Sequence, residues 1–448
     1  MSRSLEAVAK SSVADVARRA KAASRLLATL AAARRNEVLL KAADLIEERG
    51  AEIVRSNELD CQAAERDVEE GRMSRAMFER LQTSERGIEQ MAAGVREVAA
   101  LDDPLGRVLA ATELDDRLTL YKVTCPLGVV GIIFESRPDV IPQVAALALK
   151  SGNALLMKGG AEAARTNEAL INIWHEAIAN FSDVPEDALH LLSTREDVRE
   201  MLACDEEIAL IIPRGSKAFV NYVAEQSRIP VLGHGEGICH VYVDRAADFE
   251  KALDIAFDAK TQYPSACNAA ETLLVHEEVA GRFLPLMIER FRRAGVEMRG
   301  CPRTLALAES SDLGKATEDD WATEYSDLII SIKVVNTLDD AIAHIHAYGS
   351  GHTESIITED KEAAERFLES VDAAGVYHNV STRFADGFRY GFGAELGIST
   401  SKLHARGPVG LEGLTSYKYK LVGNGQTVAS YSKGERTFKH RKIVSDLR

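Results

Sequence analysis

From Val129 onward the chain alternates short apolar runs with helical segments, and it does so twice. Val129–Phe134, Ala154–Met157, Leu189–Leu192 and Ile208–Ile212 have the length and composition of buried strands. Between them, Ile141–Lys150, Ala163–Asn180 and Arg195–Ala203 repeat their apolar residues with helical spacing. The pattern restarts with strand-like runs at Cys239–Val243, Thr272–Val275, Leu328–Val335, Ser355–Thr358 and Val376–Asn379. Helical segments at Phe249–Ala259, Ala280–Ala294, Leu338–His346 and Lys361–Ser370 accompany them. Strands that are apolar on both faces and return through a helix run parallel and need helices over both faces of the sheet. The chain is therefore predicted to be α/β, with two doubly wound parallel-sheet domains. Glycines at Gly233, Gly235 and Gly237 suit a hinge between them.

Residues 1–100 read differently. Val38, Ala42, Leu45 and Ile46 recur at i, i+4, i+7 and i+8, with Asn36 as a start signal and Gly50 as a stop. The pattern predicts helices packed on a core. At Leu118–Thr124 the period becomes two beside Asp115-Asp116, which predicts a small β arm over about residues 108–125. An exposed strand of this kind offers unpaired backbone groups to another subunit, so a homo-oligomer is expected.

The 448 residues carry a formal net charge of −15, which argues against nucleic acid or an anionic membrane as a partner. An anionic substrate would need a local basic cluster. No apolar run approaches the ~18 residues of a spanning helix, and Met1–Glu6 lacks the apolar core of a signal peptide. The six cysteines (61, 125, 204, 239, 267 and 301) have neither metal-site nor disulfide-framework spacing, so no metal is expected and a cytoplasmic location is.

Ligands of open α/β sheets bind beyond the carboxyl ends of strands. Three loops there stand out: Phe134–Pro138, Lys158-Gly159-Gly160, and Pro213–Lys217, where Gly215-Ser216 opens a helix whose N–H groups could hold a pyrophosphate. The GxGxxG fingerprint of many dinucleotide sites is missing after the first strand. Cys267 lies in Thr261–Ala270, among small and polar residues that make a poor core and a good tight turn with free N–H donors. Such donors could stabilise a thiolate or an oxyanion, although free cysteines are most often inert filler, and the residues alone leave both readings open. The glycine-rich stretch Ser381–Pro408 reads as a long ordered loop, and Arg383, Arg389, Lys402 and Arg406 on it are candidate substrate-binding cations.

Taken together, Pro126–Asp139, Lys150–Gly160 and the Cys267 loop resemble the aldehyde dehydrogenase superfamily. Asp320–Asp327, Tyr348–Glu354, Ser381–Phe384 and His404–Leu414 are similar to its γ-glutamyl phosphate reductase branch. The resemblance implies a fold with a cofactor domain at 1–233, a catalytic domain at 234–410 and a segment at 411–448 that returns to the first domain and its arm. It implies NADPH-dependent reduction of L-glutamyl 5-phosphate to L-glutamate 5-semialdehyde, a step of proline biosynthesis, through a thioester on Cys267. Lys158 matches the lysine at the adenosine ribose, Gly215-Ser216 the helix start at the pyrophosphate, and Glu324 the carboxylate at the nicotinamide ribose. Aldehyde-oxidising members carry a water-activating glutamate about 34 residues before the thiol. Counting back from Cys267 reaches Gly233, with Glu236 close by. Where those members have an oxyanion asparagine, this chain has Ser136. The alternatives are a hydrolytic semialdehyde dehydrogenase and a non-catalytic member associated with a glutamate kinase.

Overall fold

The computed structural model describes residues 12–215, 217–233, 235–308 and 313–443. The chain divides into two compact units, Met1–Leu232 together with Gly410–Arg448, and Gly233–Val409.

In the first unit, helices Val13–Leu27, Ala32–Glu48, Gly50–Glu69 and Glu85–Ala100 supply an apolar stripe that includes Val38, Ala42, Leu45 and Ile46, all buried. Asn36 is not the cap that the sequence suggested. The helix already starts at Ala32, and the Asn36 side chain accepts a hydrogen bond from the buried Lys150 ammonium at 2.8 Å. A buried charge needs such partners, and that need outweighs the local preference of asparagine for a cap. Strands β1 (Val108–Asp115) and β2 (Leu118–Pro126) form an antiparallel hairpin. Strands β3 (Val129–Phe134), β4 (Ala154–Lys158), β5 (Leu189–Leu192) and β6 (Leu210–Arg214) form a parallel sheet in the order β5-β4-β3-β6. Every residue of β3 is buried, as is all but Gln143 of the helix Val140–Lys150 that follows it. That explains why neither element shows a polar face in the sequence.

The second unit holds β7 (Cys239–Val243), β8 (Ala270–His276), β9 (Glu297–Gly300), β10 (Gly314–Lys315), β11 (Ile329–Val335), β12 (Thr353–Ile357) and β13 (Gly375–His378). They pair in parallel in the order β10-β9-β11-β8-β7-β12-β13. All residues of β7 and β8 are buried, and Phe283, Met287 and Phe291 of helix Glu277–Arg293 pack in the core on one side. Strands β9 and β10 carry no apolar run in the sequence because both are short, and of the two only β10 is an edge of the sheet. Arg299 in β9 is held by Asp320 at 2.6 Å, where an apolar side chain would have signalled a strand.

Short strands β14 (Ile398–Ser399) and β15 (Gly407–Pro408) pair inside the long glycine-rich loop. Beyond it, β16 (Thr415–Val422) pairs with β2, and β17 (Arg441–Ile443) pairs with β1, completing a four-stranded antiparallel sheet. No described helix is long and apolar enough to cross a membrane.

Candidate active site

Cys267 sits just before β8, at the amino edge of the second unit's sheet, not at a carboxyl edge. Helix Phe249–Thr261 ends at Gln262, and two tight turns follow, closed by Ala266 N–H to Tyr263 O (3.2 Å) and Ala269 N–H to Ala266 O (2.9 Å). Neither turn uses the N–H of Cys267. The loop rests on Gly237: a Cβ there would lie 2.7 Å from the Cys267 Cα and closer still to its carbonyl. The buried Cys239 thiol donates to the Cys267 carbonyl at 3.4 Å, so the strand start below also grips the loop. At the loop's two ends, the Lys260 ammonium and the Glu271 carboxylate form a fully buried ion pair at 2.6 Å. The second Glu271 oxygen accepts from Ser326 N–H at 3.3 Å, fixing the segment that carries Glu324.

Burial pushes the Cys267 thiol up to about 12, with the Glu324 and Glu395 carboxylates adding to the rise and Arg383 and the residue's own N–H opposing it. Three side chains far apart in the sequence thus lie within electrostatic reach of one sulfur. The free thiol is protonated at neutral pH. Iodoacetamide labelling of Cys267, resolved by peptide mass, is expected to be slow at pH 7 and to rise about tenfold per pH unit through pH 8–10. A rate that is already flat below pH 8 would contradict this environment.

Arg383 lies in the single turn Thr382–Phe384, started by the Ser381 hydroxyl, which accepts from Arg383 N–H. Its Nε donates to Gln262 Oε1 at 2.9 Å, and the guanidinium lies 5.7 Å from the Tyr263 ring centre. Arg383 is buried, yet among the described residues it forms no ion pair. A buried cation without a counter-ion is costly, and an anion from outside would offset that cost. Arg389 Nη1 donates to the Arg383 carbonyl at 2.6 Å. Lys402 and Arg406 are placed differently: both pair with Asp372, Arg406 at 2.9 Å. The four candidate cations therefore form two pairs of residues, one at the nucleophile loop and one at Asp372.

In the first unit, Lys158 ends β4 and is followed by Gly159 and Gly160. Burial lowers its pKa while the Glu162 carboxylate raises it. Side chains at either glycine would collide, with Asn167 and Phe134 at Gly159 and with Glu162 at Gly160, and at Gly215 a Cβ would come within 2.9 Å of Phe219. These three glycines lie at the carboxyl ends of β4 and β6 and are packed closely by the protein's own side chains. Ser216 lies outside the described residues. The Ser136 hydroxyl and N–H both donate to Glu162 Oε1, at 2.8 and 2.6 Å, with Ser136 at a φ of 43°. That engagement gives Ser136 a role in shaping its own loop.

The aldehyde dehydrogenase family model matches residues 3–306. The chain belongs to the aldehyde dehydrogenase family. Its relatives include the γ-glutamyl phosphate reductase of Haloquadratum walsbyi, 54% identical over 95% of this chain and 94% of that one. The protein of the same name from Synechococcus sp. is 52% identical over 97% of this chain and 96% of its own. Among solved structures, γ-glutamyl phosphate reductase from Thermotoga maritima superposes with a TM-score of 0.89 at 41% identity, covering 93% of this chain and 100% of that one.

Members of the aldehyde dehydrogenase family use nicotinamide dinucleotides. The sequence reading passed over four residues of this site. Gly237 suits a hinge in the sequence, while Gln262, Asn268 and Glu395 belong to no pattern that sets them apart. Only Gly237 left a usable trace, since the run of alternate glycines marks backbone under close approach.

Proposed function

We infer that this chain reduces L-glutamyl 5-phosphate to L-glutamate 5-semialdehyde with release of phosphate, the second step of proline biosynthesis from glutamate. The observation that carries this reading is a buried arginine, without an ion pair among the described residues, acting electrostatically on Cys267. An acyl phosphate supplies what that site lacks: an electrophilic carbon for the sulfur and anionic charge for the guanidinium. Relatives named for this activity, similar over more than nine-tenths of the chain, support the same reading.

In this mechanism the Cys267 sulfur bonds to the acyl carbon and the carbon–phosphate oxygen bond breaks. The thiol proton leaves with the phosphate, which is basic enough to take it near neutrality. The Cys267 N–H, unused by the turns, faces the developing oxyanion. When bound, reduced nicotinamide would supply the hydride that turns the thioester into aldehyde and Cys267 thiolate, which then takes up a proton. Lys158 and the Gly159-Gly160 and Gly215 backbones would hold the adenosine and pyrophosphate end, and Glu324 the nicotinamide ribose. The preference for NADPH rests on the family resemblance. With Gly233 at the position of the water-activating glutamate, the thioester lacks a base there to drive hydrolysis. The first unit is then the cofactor domain and the second the catalytic domain, with the β1–β2 arm and its C-terminal strands serving a homo-oligomer.

NADPH oxidation with enzymatically generated glutamyl phosphate tests the activity; no oxidation above the cofactor-only rate would refute it. Arg383→Ala is expected to raise KM for glutamyl phosphate roughly 10- to 100-fold, the range for losing a charge-assisted contact, and to leave the Kd of NADPH unchanged. Equal weakening of both ligands would remove Arg383 from the substrate site.

A further inference from the structure

Two polar side chains flanking the nucleophile reach across to the turn that carries Arg383. Gln262, five residues before Cys267, accepts from Arg383 Nε at 2.9 Å. Asn268, the residue after Cys267, donates from Nδ2 to the carbonyl of Ala385 at 2.8 Å. Asn268 is only 3% exposed, and its remaining oxygen has no hydrogen-bond partner among the described residues. A buried amide with half its capacity unused is destabilising by about 1–3 kcal/mol, so the fold tolerates it only for what the other half secures. A leucine would fill the same volume without that cost. The contact it secures joins segments 117 residues apart, and the Gln262 contact joins segments 121 apart.

We propose that Gln262 and Asn268 are positioning residues that hold the Arg383 guanidinium beside the Cys267 sulfur, one gripping the side chain and the other the end of its turn. Arg389, donating to the Arg383 carbonyl, closes the turn from its far side. With Nε committed to Gln262, the two terminal nitrogens of Arg383 make no hydrogen bond among the described residues and remain for an anion. The clamp therefore sets both where the substrate's charge is held and how strongly the cation favours thiolate. It deepens the reading of Arg383 given above, and it acts through Arg383 without touching the reacting atoms.

The sign of a labelling change separates this role from a merely structural one. Loosening the loop would expose Cys267 and speed its alkylation, whereas losing the nearby cation slows it. At pH 9, Arg383→Ala, Asn268→Ala and Gln262→Ala are each expected to slow peptide-resolved iodoacetamide labelling of Cys267 severalfold. The double variants Asn268→Ala/Arg383→Ala and Gln262→Ala/Arg383→Ala are expected to label no more slowly than Arg383→Ala alone. Labelling that is unchanged or faster in Gln262→Ala and Asn268→Ala, or double variants slowed by the product of the single effects, would overturn the proposal. Gln262 is exposed, so its variant keeps the test intact should Asn268→Ala fail to fold. Labelling needs neither substrate nor NADPH, so a failure of the clamp and a failure of the assigned reaction give different results.

Discussion

Cys267→Ala is expected to lower NADPH-coupled turnover of glutamyl phosphate by about 10⁴-fold or more, the scale of losing a covalent nucleophile. The fold is expected to survive. Cys267 is only partly buried, so removing its sulfur opens no sealed cavity, and its carbonyl still accepts from Cys239. The other thiols supply the control. Cys61, Cys204, Cys239 and Cys301 each engage a neighbouring polar group, and Cys301 lies in the hydrophobic core of the second unit. Cys301→Ala should therefore cost stability, about 1 kcal/mol for a small buried side chain, with kcat retained. Turnover within tenfold of wild type in Cys267→Ala would refute the thioester route.

Gly237→Ala carries the second largest expected effect, and it does so without touching any chemical group. The added methyl would lie inside the carbonyl of Cys267 and 2.7 Å from its Cα. Backbone, unlike a flexible side chain, cannot swing aside, so the nucleophile loop must shift. A displacement of about 1 Å at a reacting atom is worth roughly 100-fold in rate, and kcat/KM should fall by at least that much. The expected thermal destabilisation is smaller, about 1–3 kcal/mol as for other overpacked sites. Steady-state kinetics and a melting curve on the same preparation check both, and wild-type kinetics in this variant would show that the loop is not held where the structure places it.

The fold was legible because its strands are buried on both faces. β3 is apolar throughout, β7 is nearly so and β8 carries the apolar run Leu273–Val275, and runs of that kind admit few other fates. Elements set by long-range contact were not legible. β9 is a four-residue strand whose Arg299 is held by Asp320, and Asn36 mimics a cap while serving Lys150 from inside a helix. The site divides the same way. Cys267 and Arg383 stood out by residue type, one in a loop of small residues and one in a basic glycine-rich stretch. That both belong to a single cluster depends on Gln262 and Asn268 bridging more than a hundred residues, which no local pattern encodes. Equally, nothing local separated Arg383 and Arg389 from Lys402 and Arg406. The distinction comes from Asp372, which takes up the second pair.

The central claim is that Cys267 passes its acyl group between phosphate and hydride and not to water. The most direct measurement is NADP⁺ reduction with glutamate 5-semialdehyde, run with and without inorganic phosphate. Steady turnover that requires phosphate, with a single burst of about one equivalent per Cys267 in its absence, is the result predicted. Steady NADP⁺ reduction without phosphate, yielding glutamate, would contradict it and assign the chain a hydrolytic oxidation instead.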